Sequence, residues 1–156
     1  MRVLGIDPGT RILGWCVVEG DRTGARFVDA GVCRVGAKDP ARGMEKIYRA
    51  VMEIIEKFSP DTVAVESPFY GSNARTLIRL GEARGAILLA AAHSKVPVES
   101  VSPASAKLAL TGNGNATKQQ VAYMVQQILG TPEDLPTDAT DAAAVAIAFL
   151  HSATAV

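Results

Sequence analysis

Histidine and cysteine are scarce in this chain: Cys16, Cys33, His93 and His151 are the only ones among 156 residues. No C-x-x-C or H-x-x-x-H spacing occurs, so the sequence offers no structural zinc site. Both cysteines fall in strand-like runs, where a small buried thiol is the ordinary role. Long apolar runs are also missing. The longest wholly apolar stretch, Ala142 to Leu150, falls far short of the ~18–20 residues that span a bilayer. The N-terminal run meets Asp7 after only a few residues, which is unlike a secretion signal. The expected compartment is the cytoplasm, with no membrane contact. An excess of one charge is lacking too, since 16 Lys and Arg face 16 Asp and Glu. A strongly basic total would point to nucleic acid, and this total does not.

What is present is enough apolar material for one core. Hydrophobic residues make up 48% and charged residues 21%, a balance that excludes disorder. The length predicts a single domain over residues 1–156 and leaves no room for separate cofactor and substrate lobes. Charge is unevenly spread. Between Ser67 and Gln127 the bases are Arg75, Arg79, Arg84, Lys95, Lys107 and Lys118, against only Glu82 and Glu99. That stretch has a local excess of four positive charges, suited to contacts with a phosphate backbone.

Hydrophobic periodicity predicts alternating elements. Val3–Ile6 is a short strand closed by Asp7-Pro8-Gly9-Thr10, a turn pattern. Ile12–Glu19 reads as a returning antiparallel strand and Arg26–Val35 as a third. Ala41–Phe58 has helical spacing and stops before Pro60. Thr62–Glu66 is a fourth strand. A helix follows from Asn73 to Ser94, and its half Gly85–Ala92 has no polar face. Such a segment needs cover on all sides, from the core and from a second subunit. Val96–Val101 is a fifth strand, and helices follow at Pro103–Leu110, Thr117–Leu129 and Asp138–Leu150. Three meandering strands and then helix–strand alternation predict an α/β fold with a mixed five-stranded sheet and helices on both faces. A helical crossover makes the fourth strand parallel to the first. If the two are neighbours, Asp7 and Glu66 lie side by side at their carboxyl ends, where open α/β sheets hold their sites.

Each acid has an ordinary structural explanation when taken alone. Asp7 fits a turn aspartate, Glu66 a solvent-facing sheet edge, and the i, i+3 pair Asp138 and Asp141 a helix N-cap or dipole partner. Together they place carboxylates on three element ends that could meet. Four such groups repel one another and raise their own pKa values. A divalent cation relieves this, and an all-oxygen donor set suits Mg²⁺ or Mn²⁺ rather than zinc. Two such ions can clamp the attacking and leaving oxygens of a phosphodiester.

Gly5-Ile-Asp-Pro-Gly-Thr-Arg11, Glu66-Ser-Pro-Phe69 with Asn73, and Leu80-Gly-Glu-Ala-Arg-Gly85 resemble the RuvC family of bacterial crossover-junction endodeoxyribonucleases, the Holliday junction resolvases. The pattern continues through Ser102–Val121, with Lys107, Gly112-Asn-Gly114, Ala116 and Lys118, and through Asp138-Ala-Thr-Asp141. The resemblance implies a ribonuclease H-like fold, a homodimer, paired Mg²⁺-dependent nicking of four-way DNA junctions, and the branch-migration proteins RuvA and RuvB as partners. It assigns catalysis and metal binding to Asp7, Glu66, Asp138 and Asp141, with two Mg²⁺ per subunit that Mn²⁺ can replace. It also implies DNA contacts from Lys107, Lys118 and Phe69, with Asn73, Arg75 and Arg79 nearby. Tyr70 reads equally as a base-stacking or a packing residue. Leu77, Leu80, Gly81, Arg84 and Leu88 are expected at the dimer interface, unless that helix is simply enclosed within one subunit.

Three rival readings remain. The Gly-Ile-Asp-Pro-Gly-Thr turn also looks like the phosphate loop of the actin and sugar-kinase ATPases, but those need two domains. A junction-binding module without cleavage is opposed by the four acids, which disfavour phosphate unless metal fills them. A nuclease of the same fold acting on RNA–DNA hybrids is set aside only by the resemblance.

Overall fold

The computed structural model describes residues 1–68, 71 and 73–153. Its strands are β1 (Arg2–Asp7), β2 (Ile12–Asp21), β3 (Gly24–Arg34), β4 (Thr62–Glu66) and β5 (Val98–Val101). Its helices are α1 (Pro40–Phe58), α2 (Ala74–His93), α3 (Pro103–Thr111), α4 (Lys118–Leu129) and α5 (Thr137–Ser152). The strand order is β3-β2-β1-β4-β5. β1, β2 and β3 run antiparallel, while β4 and β5 run parallel to β1. This is the predicted mixed sheet. Several boundaries moved by a residue or two: β2 runs on to Asp21 and β3 begins at Gly24 because the two strands stay in register there, and β5 begins at Val98 rather than Val96.

Strand alternation divides the sheet into two buried faces. Leu4, Ile6, Leu13, Val17, Val63 and Val65 point to one face and pack with Ile47, Val51 and Ile55 of α1 and Ala83, Ile87 and Ala90 of α2. Trp15 joins this layer, as expected of a core residue of the second strand, with its ring centroid 5.9 Å from that of Phe58. Val3, Cys16, Val18 and Ala64 point to the other face and pack with α3, α4 and α5. Both cysteines are free thiols, Cys16 buried and Cys33 half-buried.

α5 is the central helix. Ala139, Ala142–Ala148 and Leu150 are all buried, although the sequence pointed to Gly85–Ala92 as the segment needing cover on every side. In the monomer that α2 segment stays open along one face, with Gly85, Leu88, Leu89 and Ala92 exposed. The reason is size. Alanine lets α5 approach the sheet closely, and two strand glycines bring it closer still. A Cβ on Gly5 would strike the Ala142 carbonyl, and one on Gly14 would strike the Asp138 carbonyl. The first turn of α5 therefore rests directly on β2, and Ala142 and Ala146 further along it rest on β1. No helix among the described residues is long and apolar enough to cross a membrane.

Candidate active site

Asp7 is the last residue of β1, and Pro8 ends the strand because it has no N–H to donate. Glu66 is the last residue of β4. Ile6 pairs with Val65 in the parallel β1–β4 register, so Asp7 and Glu66 follow as neighbours. Both fall in the alternation that faces α5. The Gly5 and Gly14 contacts hold the start of α5 against this same edge, which brings Asp138 and Asp141 to the strand ends. Three elements separated widely in sequence thus deliver four acids to one place.

The local chemistry favours the shared-site reading over the simpler ones. Asp7 is half-buried, not a solvated turn residue, and its carboxyl lies within hydrogen-bonding reach of Glu66. Burial first, then the Glu66 charge, the bond to Glu66 and the charges of Asp141 and Asp138 push its pKa from 3.8 up to about 8. Burial also raises Glu66, with the bond from Asp7 and the positive charges of Lys118 and Lys107 acting the other way and Asp141 adding to the rise. The N-cap explanation for the α5 acids fails. The cap residue is Pro136, and no side chain caps this helix. Asp138 lies in the first turn, so its attraction to the helix dipole stands.

Lysines close the other side. Lys118 Nζ donates to Asp141 Oδ2 at 3.1 Å, and that ion pair raises the lysine pKa. Thr117 caps α4 through a full capping box with Gln120, which fixes the point from which Lys118 projects. Asp7, Glu66, Asp141, Lys107 and Lys118 line one open cleft of about 1140 Å³, together with Ser67, Leu77, Arg84 and Asn115. No three His, Cys, Asp or Glu side chains among the described residues converge as a ready-made metal cage. Asp7, Glu66 and Asp141 line the cleft instead, Asp141 held by Lys118, while Asp138 lies outside its lining and acts on Asp7 through its charge. The donor set nevertheless fits a hard divalent cation. It is all oxygen, and it carries a mutual repulsion that a cation would cancel.

The remaining expected residues divide. Asn73 caps α2, its side chain accepting from the Thr76 N–H at 2.9 Å. Arg75 and Arg79 are exposed on the first turns of that helix. Phe69 and Tyr70 lie outside the described residues. Among the interface residues, Gly81 and Leu88 are exposed, whereas Leu77, Leu80 and Arg84 turn toward the cleft and its smaller side pocket. Arg84 donates to Ser100 Oγ at 2.6 Å, tying α2 to β5. The sequence reading passed over Ile78, which is 62% exposed and shares the open face with Gly85, Leu89 and Ala92 of the segment expected to meet a second subunit. The spacing Ile78, Gly85, Leu89, Ala92 was the available signal.

Comparison with known proteins agrees with this architecture. The family described as Crossover junction endodeoxyribonuclease RuvC matches residues 3–149. The crossover junction endodeoxyribonuclease RuvC of Geotalea uraniireducens is 44% identical over 160 residues, covering 97% of this chain and 90% of the relative. That of Moorella thermoacetica is 44% identical, covering 94% and 89% respectively. The solved structure of Thermus thermophilus RuvC in complex with a Holliday junction substrate superposes with a TM-score of 0.88 at 38% identity, covering 95% of this chain and 92% of that one. With its ribonuclease H-like sheet and a match that spans nearly every residue, this chain belongs to the crossover junction endodeoxyribonuclease RuvC family.

Proposed function

We propose that this protein is a structure-selective endonuclease that resolves four-way DNA junctions, making paired, symmetric nicks in two strands of like polarity. The observation that carries the proposal is the convergence of Asp7, Glu66 and Asp141 in one cleft beside Lys107 and Lys118, with Asp138 close enough for its charge to act on Asp7. The family membership and the junction-bound relative support the choice of substrate.

Asp7, Glu66, Asp138 and Asp141 would hold two Mg²⁺ ions, or Mn²⁺ in their place. Bound there, the metal supplies a water nucleophile at neutral pH and charge neutralisation for the phosphoryl group. The chain does the rest. Asp7 and Glu66 sit on strand ends whose backbone is fixed by the sheet, so the reacting phosphate meets a rigid floor. Lys118 is 74% exposed while its partner Asp141 is 24% exposed, so the ammonium can leave the carboxylate and turn to a phosphate oxygen. That exchange frees Asp141 as a ligand at the moment DNA arrives. Lys107 already acts on Glu66 through its charge and faces the same cleft. Both lysines are placed to stabilise charge that grows on the phosphorane. Hydrolysis with the 3′ oxygen as leaving group yields 5′-phosphate and 3′-hydroxyl ends. Asn73, Arg75 and Arg79 extend the DNA contact along α2, and Phe69 supplies a stacking surface at the junction centre.

Two cuts need two sites. A two-fold homodimer through the open α2 face would present them at a separation that matches the symmetry of the junction. Ile78, Leu88 and Leu89 supply apolar area there, and Gly81 and Gly85 allow close approach. The whole chain acts as one nuclease domain in the bacterial cytoplasm, downstream of the RuvA and RuvB branch-migration proteins. The deciding experiment incubates pure protein and Mg²⁺ with a four-way junction and, separately, with the matching linear duplex. Paired nicks confined to the junction are expected. Equal cutting of the duplex, or preferential cutting of an RNA–DNA hybrid, would overturn the proposal.

A further inference from the structure

The acids occupy the middle of one sheet edge, and the positive stretch from Ser67 to Gln127 accounts for only one side of it. On the other side β3 ends at Arg34, and α1 starts a few residues later behind its N-cap Asp39. Arg34 pairs with Ile12 across the β2–β3 ladder, and the Val35 N–H donates to the Arg11 carbonyl at 2.8 Å. These bonds fix Arg11 and Arg34 beside each other at the edge that carries Asp7. Alternation sets the face as well. Arg34 is in phase with Ala30, which packs on the α5 side of the sheet, and that is the side Asp7 and Glu66 face. Lys38 follows in the connection to α1.

All three side chains are exposed, and among the described residues none has an ion-pair or hydrogen-bond partner. Arg2, Arg26, Arg42, Arg49, Lys57 and Lys118 are each paired with a carboxylate, whereas among the described residues Arg11, Arg34 and Lys38, like Lys107 in the cleft, are not. Glu133 and Asp134 precede α5 near this edge and do not reach Arg34 within ion-pair distance. Two strand spacings and two residues of rise put Arg34 about 12 Å from Asp7, Cα to Cα. At about 3.4 Å of rise per nucleotide, that is three or four steps along a strand whose scissile phosphate sits over the acids.

We propose that Arg11, Arg34 and Lys38 form a second DNA-arm contact, binding backbone phosphates three to four nucleotides from the cut on the β3 side of the cleft. The inference rests on the nuclease reading and extends it. The acids would lie between two positive flanks, so an arm crossing the edge is gripped on both sides of the scissile bond. A net charge of zero conceals this because the compensating acids lie elsewhere.

The test compares three full-length proteins: wild type, Arg11→Gln/Arg34→Gln/Lys38→Gln, and the control Arg22→Gln/Lys57→Gln/Lys95→Gln, which removes as many cations from the opposite sheet edge. Junction affinity is measured by fluorescence anisotropy in chelator over a range of salt concentrations. The first variant should lower the salt slope by about 2–3, near 0.9 per lost phosphate contact, and weaken binding about tenfold or more at 0.1 M salt. Its melting temperature should match wild type, since the three side chains are exposed and make no hydrogen bond or ion pair among the described residues. The control should keep the wild-type slope. Equal slopes for wild type and the first variant, or an equal loss in the control, would overturn the inference alone. A wild type that binds no junction would overturn the nuclease reading beneath it.

Discussion

Replacing Asp7 with asparagine should make the protein more stable in chelator, even as it is expected to lower junction cleavage. The carboxyl of Asp7 titrates at about 8 in the folded chain, against an ordinary value of 3.8. At pH 7 the folded state therefore carries a proton there that the unfolded state lacks. Taking up that proton across about three pH units costs up to ~4 kcal/mol, at 1.36 kcal/mol per unit. The cleft is open to water, which damps the repulsion, so about half of that, ~2 kcal/mol, is the reasonable expectation. Asparagine keeps the shape and can still donate to Glu66, but needs no proton. For a domain of this size the gain corresponds to ~4–8 °C in Tm. The direction with pH follows from the raised value. Below about pH 4 the unfolded carboxyl is protonated too, and the penalty vanishes. It grows from pH 4 to pH 8 and is constant above. Wild type in EDTA should thus lose stability as pH rises through this window, and the gap to Asp7→Asn should open in step. Adding Mg²⁺ should then raise the Tm of wild type more than that of the variant, because the variant has lost a ligand charge. Differential scanning fluorimetry at pH 4.5 and 7.5, with and without Mg²⁺, covers every arm. A variant that melts at or below wild type at pH 7.5 in EDTA, or a gap of equal size at both pH values, would refute the reasoning.

Other outcomes follow from the same geometry. Glu66→Gln, Asp138→Asn and Asp141→Asn should each lower junction cleavage by roughly a hundredfold or more while junction affinity in chelator holds or rises; a variant cutting at the wild-type rate removes its residue from the site. Gly14→Ala should move the first turn of α5, because the new methyl meets the Asp138 carbonyl. A shift of about 1 Å would cost on the order of a hundredfold in cleavage, so a wild-type rate in single-turnover assays would show that the contact does not position the acids. Ile78→Glu or Leu89→Glu should give a folded monomer by sedimentation equilibrium and convert paired nicks in a cruciform plasmid to single ones; a persistent dimer would place the interface elsewhere. Cleavage should require Mg²⁺ or Mn²⁺, and full activity in EDTA would exclude the metal reading.

Much of this was legible in the chain because it is encoded locally. Strand runs, turn residues and helical spacing placed every element to within a few residues, since side-chain alternation and capping depend on near neighbours. The four acids could be picked out because each stands at an element end, and because the crossover rule makes the first and fourth strands parallel. The single-residue alternatives for Asp7 and Glu66 could be weighed only in three dimensions. Burial and mutual repulsion depend on strand order, which no local pattern contains. The same holds for the close seat of α5. Gly5 and Gly14 look like ordinary strand glycines until α5, from the far end of the chain, is seen to press its carbonyls against them. Lys118 and Asp141 are 23 residues apart, and nothing in either neighbourhood foretells their ion pair. That α2 needs cover on two sides was legible from its apolar composition, but which of its residues meet the core and which stay open was decided by packing. Arg11 and Arg34 were lost within a neutral total. The sequence alone determined which elements form and which chemical groups they carry; register and helix packing decided which groups face each other, because those distances are set by contacts between residues far apart in the chain.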